Sequence, residues 1–153
     1  MNSTKTDRES VLRSERDHFA YNVWHFAPAR RVGDFTYIAG IIVARDSEAA
    51  PTPEGFSASL RTAFRELGRP LAAYHGSFQD VVMLTTFHDW SAPEFLGDAK
   101  AQAMAFQAVK DEIIPAPHPA WTAVETTGFV RDDGILEIQA VAFSPQNEPT
   151  VQT

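Results

Sequence analysis

Along this chain the apolar positions change their spacing several times, and each change marks an element. Ala20 to Arg31 alternates weakly, with Tyr21, Val23, Trp24 and Phe26 ahead of a turn at Gly33 and Asp34. Phe35 to Val43 is strongly apolar, so the two stretches predict a β-hairpin. Gly40 inside the second stretch marks a bend or a close backbone approach. After a polar loop from Asp46, Thr52 ahead of Pro53 and Glu54 reads as an N-cap followed by a proline in the first helical position. Phe56, Leu60, Phe64, Leu67, Leu71 and Tyr74 then recur at helical spacing, with a kink expected at Pro70 and an end at Gly76.

Phe78 to Trp90 is a third strand region, with Val81, Val82, Leu84 and Phe87 as its core. Ser91 with Glu94 matches a capping box for a second helix, and Asp98 offers a later start. That helix is expected to reach about Ile114, burying Phe95, Ala99, Phe106, Val109 and Ile113. Pro115, Pro117 and Pro119 then hold the chain out of helix and lead into β-prone residues. Alternation places Trp121, Ala123 and Glu125 on one face of that strand, and Thr122, Val124 and Thr126 on the other. A turn at Arg131 to Gly134 precedes the last strand, Ile135 to Phe143. There Leu136, Ile138, Ala140 and Ala142 form one face, and Glu137 and Gln139 lie on the other.

The order is β-β-α-β-α-β-β, an α+β arrangement in one domain over residues 18–143. Residues 1–17 are expected to be a disordered polar leader and residues 144–153 a loose polar tail. Two helices cover only one face of such a sheet. The other face is expected to carry Trp121, Ile135 and Val141, which predicts an oligomer with that face inside it.

Composition narrows the function. The 153 residues carry 13 Lys+Arg against 20 Asp+Glu, a net charge of -7, which argues against a nucleic-acid groove. With no cysteine, disulfides, thiolate metal sites and a cysteine nucleophile are excluded. No apolar run suggests a signal peptide or membrane span, so a cytoplasmic protein is expected. His18, His25, His75, His88 and His118 show no metal-pair spacing, and no nucleophile elbow or glycine-rich phosphate loop occurs. No metal or cofactor is expected, and His88 with Asp89 reads as surface polar structure.

Three segments carry a resemblance: Arg31 to Gly40, Phe78 to Val82 with Thr85 to Asp89, and Pro119 to Phe143. Together they resemble the RidA/YjgF family, and the Pro-x-Trp-Thr-Ala-Val wording of Pro119 to Val124 is similar to its YjgH-like branch. The resemblance implies a chorismate-mutase-like fold and a homotrimer whose three sheets form a central barrel, with ligand clefts between subunits. In deaminating members, an arginine at the start of the fourth major strand binds the substrate carboxylate; Trp121 stands at that position here. Phe26 stands for a first-strand tyrosine, Ala39 for a serine before the strand glycine Gly40, and Ala123 for a residue that is sometimes cysteine. Only the last-strand glutamate is kept, as Glu137.

An indole offers one neutral donor where a guanidinium offers a bidentate, charged grip. Losing such a charged hydrogen bond costs ~1.5–3 kcal/mol. Phe26, Ala39, Ile41 and Trp121 suggest a more apolar pocket, suited to an aromatic or neutral ligand. Within it, desolvation should raise the pKa of Glu137 and suit it to acid/base work at an imine carbon. Backbone groups near Gly40 and Thr122 would orient the substrate. Glu125 is a second carboxylate candidate, and His118 could donate from the rim. The expected functions are hydrolytic deamination of an enamine, an imine or an aminomuconate-type compound, or non-catalytic binding of a small molecule or partner. Endoribonuclease activity fits the charge poorly.

Overall fold

A computed structural model describes residues 8–10, 14–46 and 48–145. The strands are β1 (Arg8–Ser10), β2 (Ala29–Val32), β3 (Phe35–Ala44), β4 (Val81–His88), β5 (Ala120–Glu125) and β6 (Gly134–Phe143). The helices are α1 (Glu15–Val23), α2 (Pro53–Ala73) and α3 (Ala99–Ile113), with a short 3-10 turn at Phe78–Asp80. From β2 onward the order is the expected β-β-α-β-α-β-β.

The strands form one sheet in the order β1-β2-β3-β6-β4-β5. Neighbours are antiparallel except β4 and β5, which run parallel. The α2 stripe of Phe56, Leu60, Phe64, Leu67 and Leu71 is buried with Phe106 and Val109 of α3. These residues meet Ile38, Val43, Leu84, Leu136, Ile138 and Ala140 of the sheet in one core. Both long helices therefore cover a single face.

Several local signals act as expected. Thr52 caps α2 by accepting from Gly55 N at 3.2 Å, satisfying one of the helix's free N-terminal donors. Gly33 holds a φ of +56° in the two-residue turn of the β2–β3 hairpin, a conformation glycine adopts without steric cost.

Other expectations need correction. Ala20 to Phe26 is not strand: α1 runs through Val23, and Phe26 lies in the loop before β2. Ser14 and Asp17 form a reciprocal capping box there, which outweighs the weak alternation beyond it. The expected leader also holds structure at Arg8–Ser10 and from Ser14 on; residues 1–7 and 11–13 of it lie outside the described residues, as does 146–153 of the tail. Of the two starts offered for the second helix, Ser91 is not used and Asp98 is: its side chain accepts from Ala101 N at 2.8 Å as the N-cap of α3. Phe95 is buried ahead of that helix, against Phe56, and Ala99 is exposed.

The uncovered face is apolar; Val141 lies on it as expected, whereas Ile135 and Trp121 do not. Ile135 sits where the β3–β6 pairing slips between Val43↔Leu136 and Ala44↔Gly134, and it is buried in the core. Trp121 faces the helices. The open face instead carries Phe35, Tyr37, Met83, Val124 and Phe143, each well exposed, with half-buried Val141 between them. Phe35 packs on Phe143 at 5.0 Å between ring centres and lies 6.4 Å from Tyr37.

Candidate functional site

The pairing of β3 with β6 builds the candidate site. Ile38 pairs with Ala140 and Ile41 with Ile138, so Ala39 and Gly40 form a bulge. The bulge shifts the alternation by one residue. Ile41 consequently turns toward the helices and packs against the core, not into a pocket as expected, while Ile42 moves to the open face. Ala39 N donates to Pro28 O at 2.9 Å, tying the bulge to the loop that carries Phe26. Phe26 itself is exposed.

Glu137 lies on the open face of β6, between Ile42 of β3 and Phe87 of β4. Its carboxyl group occupies the space above Gly40, where any Cβ would collide with it. Gly40 is thus needed for a close approach, as its position suggested. Among the described residues nothing pairs with or hydrogen-bonds to this carboxylate. Burial against apolar neighbours raises its pKa from the ordinary 4.5.

Beside Glu137, a polar row crosses the same face: Gln139 pairs with Thr85, and Thr85 with Thr122. Thr122 is therefore on the face of Glu137, two strands away. Phe87 and Ile42, which flank the carboxylate, were missed; the alternation of β4 pointed to Phe87, but the bulge hid Ile42.

Trp121 and Ala123 lie on the opposite, helix-facing side. Trp121 pairs with Leu84 and Ala123 with Thr86, both buried residues. The Trp121 ring meets Phe106 at 5.3 Å, and its Nε1 donates to Thr86 Oγ1 at 2.9 Å. The expectation that Trp121 lies on the open face is thus corrected. Its pairing with a core leucine fixes the side. Glu125 shares that side at the exposed end of β5, opposite His88, and so stands away from Glu137. His118 is exposed before β5. Among the described residues, no group of three acidic or histidine side chains could hold a metal, and no helix is long and apolar enough to cross a membrane.

His88 departs most from its reading as surface structure. It is 1% exposed, hydrogen-bonded through both ring nitrogens and stacked on Trp90 at 4.2 Å. Thr86 and His88 share one strand face, and Gln102 falls on the buried stripe of α3. That spacing was the available signal.

A one-sided α+β sheet with a bulged strand under a half-buried carboxylate defines the class. The sequence profile described as endoribonuclease L-PSP matches residues 20–144. The chain is 32% identical over 141 residues to the RutC family protein YjgH of Escherichia coli (strain K12), covering 92% of this chain and 98% of that one. A solved structure of protein YjgH superposes with a TM-score of 0.68 at 27% identity, over 92% of this chain and 99% of that chain. NMB1025, a YjgF-family protein from Neisseria meningitidis, shares the fold with a TM-score of 0.65 at 16% identity, over 92% and 97% of the two chains. The chain belongs to the RidA/YjgF family and is YjgH-like.

Proposed function

We propose that this protein binds a small, planar, unsaturated metabolite in clefts between copies of the chain, and that Glu137 hydrolyses its C=N bond. Members of the family are small-molecule-processing or ligand-binding proteins and are generally trimeric. The observation that carries the reading is the Glu137 carboxyl group, unpaired among the described residues, raised by burial and seated over Gly40. A carboxyl group so placed, with its pKa raised by burial, can both take and give a proton. It accepts a proton from water as the water oxygen adds to the imine carbon, and returns it to nitrogen. The resulting amino alcohol then expels ammonia as its C–O bond becomes C=O. An enamine enters the same path once protonated on carbon.

Glu137 and Trp121 lie on opposite faces of one sheet, so a single ligand meets both only when a second copy supplies one of them. The exposed apolar face supports that assembly, as a homotrimer with the three sheets inside. Non-catalytic binding is the second reading. It is favoured by Trp121, which brings no cation and whose N–H is already engaged. The net charge of -7 speaks against ribonuclease activity.

Thermal-shift measurements with amino acids, keto acids and aromatic acids, run beside a turnover assay, separate the readings. A catalyst turns over an imine; a binder is stabilised by ligand and turns over nothing.

A further inference from the structure

Away from Glu137, the buried polar groups behind Trp121 form one chain of hydrogen bonds whose direction chemistry fixes. An indole nitrogen only donates, so Trp121 Nε1 donates to Thr86 Oγ1 at 2.9 Å. At the other end a backbone carbonyl only accepts, so Gln102 Nε2 donates to Asp89 O at 2.9 Å. Gln102 Oε1 is left facing His88 Nδ1 at 3.1 Å and must accept from it. His88 therefore carries its proton on Nδ1. Its bare Nε2 accepts from the Thr86 hydroxyl at 2.8 Å.

A single protonation state satisfies every member of this chain. Adding a proton to Nε2 would set it against the Thr86 hydroxyl, whose hydrogen would then lose its buried acceptor. The surroundings do not favour that charge. α3 presents Gln102 and Phe106, β4 presents Thr86, and β6 presents Leu136 as strand partner. The nearby charges are engaged elsewhere or exposed: the Asp89 carboxylate accepts from Ser91, Lys110 pairs with Asp111, and Glu125 lies at the exposed strand end. Burial lowers the pKa of His88 from 6.5.

Trp121 keeps 39% of its surface exposed at the free edge of β5. We propose that Thr86, which accepts from the indole N–H of Trp121, and His88 and Gln102, which orient Thr86, are positioning residues that fix the ring as an apolar wall, so that Trp121 selects aromatic over aliphatic ligands. This rests on the proposal that ligand occupies the intersubunit cleft at that edge. The Lys110 ammonium, paired with Asp111, lies 5.7 Å from the ring centre and backs the wall from the protein side. A planar aromatic ligand fits that wall.

Nitrogen-15 NMR of the full-length protein tests the relay without any ligand. The expected result at pH 7.5 is a neutral His88 protonated on Nδ1, with a Trp121 indole N–H protected from exchange. The Nε2-protonated form, or a rapidly exchanging indole, overturns the relay. Binding of benzoate and 2-oxobutanoate, two monoanions, tests selection. Wild type should favour benzoate by about tenfold, the worth of burying roughly half a ring. Thr86→Val should lose that ratio and Thr86→Ser should keep it, while a merely structural role would lower the melting temperature and leave the ratio unchanged. Equal binding of both probes, or of neither, by wild type overturns the selection. Loss of turnover in Glu137→Gln concerns the reaction and leaves both results as they are.

Discussion

The carboxyl group of Glu137 fills the space that a side chain at position 40 would need, so Gly40 and Glu137 form one unit. The β3 bulge places the glycine, β6 supplies the acid, and Ile42 and Phe87 flank it on the neighbouring strands. The chemistry proposed for the chain depends on that pairing.

Gly40→Ala should separate site from fold. The added methyl meets the flexible end of Glu137, which can swing away, so stability should change by less than about 1 kcal/mol. The displaced carboxylate returns to water, and turnover should fall with the fold intact. Circular dichroism melts beside a turnover assay check this; full activity in Gly40→Ala would detach the glycine from the function.

Glu137 also predicts a stability slope. Its folded pKa is raised above 4.5, so the folded state holds more protons there than the unfolded state. Stability contributed by this group is present below 4.5 and is lost as pH rises through the folded value. Glu137→Gln should be the more stable protein at neutral pH and should lack this slope. Urea midpoints between pH 4 and 8 measure it, and parallel curves for the two proteins would contradict the buried position.

His88 gives the opposite sign. Its folded pKa lies below 6.5, so its contribution is present above 6.5 and is lost as pH falls through the folded value. The acid limb of the stability curve should flatten in His88→Asn, at a cost of about 1–3 kcal/mol from the unpaired Thr86 and Gln102 groups. An unchanged acid limb would mean that His88 titrates as it does in water.

The open face should hold copies together. Phe35 and Phe143 pack with tilted rings there with little cover, so Phe35→Asp places a charge in the interface and leaves the helix-side core untouched. Light scattering should report about three times the 16.9 kDa chain mass for wild type and the single-chain mass for the variant. A wild-type mass of one chain would refute the assembly.

The fold was legible where one signal dominated: the α2 stripe from Phe56 to Leu71, the Thr52 cap, and the alternation of Leu136 to Ala142. It was misread where a pairing partner decides orientation. Trp121 alternates as expected along β5, but only its partner Leu84 shows which face it takes. Ile41 and Ile42 exchange faces because the bulge at Ala39 and Gly40 adds a residue, which no periodicity announces. His88 looked solvated because its partners are Thr86 on the same strand and Gln102 on a separate helix. Glu137 and Gly40 were legible through the family resemblance, and their contact follows from the register of two strands.

Ammonia release from imines generated in place, of the 2-aminoacrylate and aminomuconate types, tests the central claim most directly. Turnover by wild type above the spontaneous rate is expected, with its loss in Glu137→Gln while the variant stays folded and of the same mass. Equal rates in the two proteins, or no acceleration by wild type on either imine, would contradict the assignment of Glu137 as the reacting group.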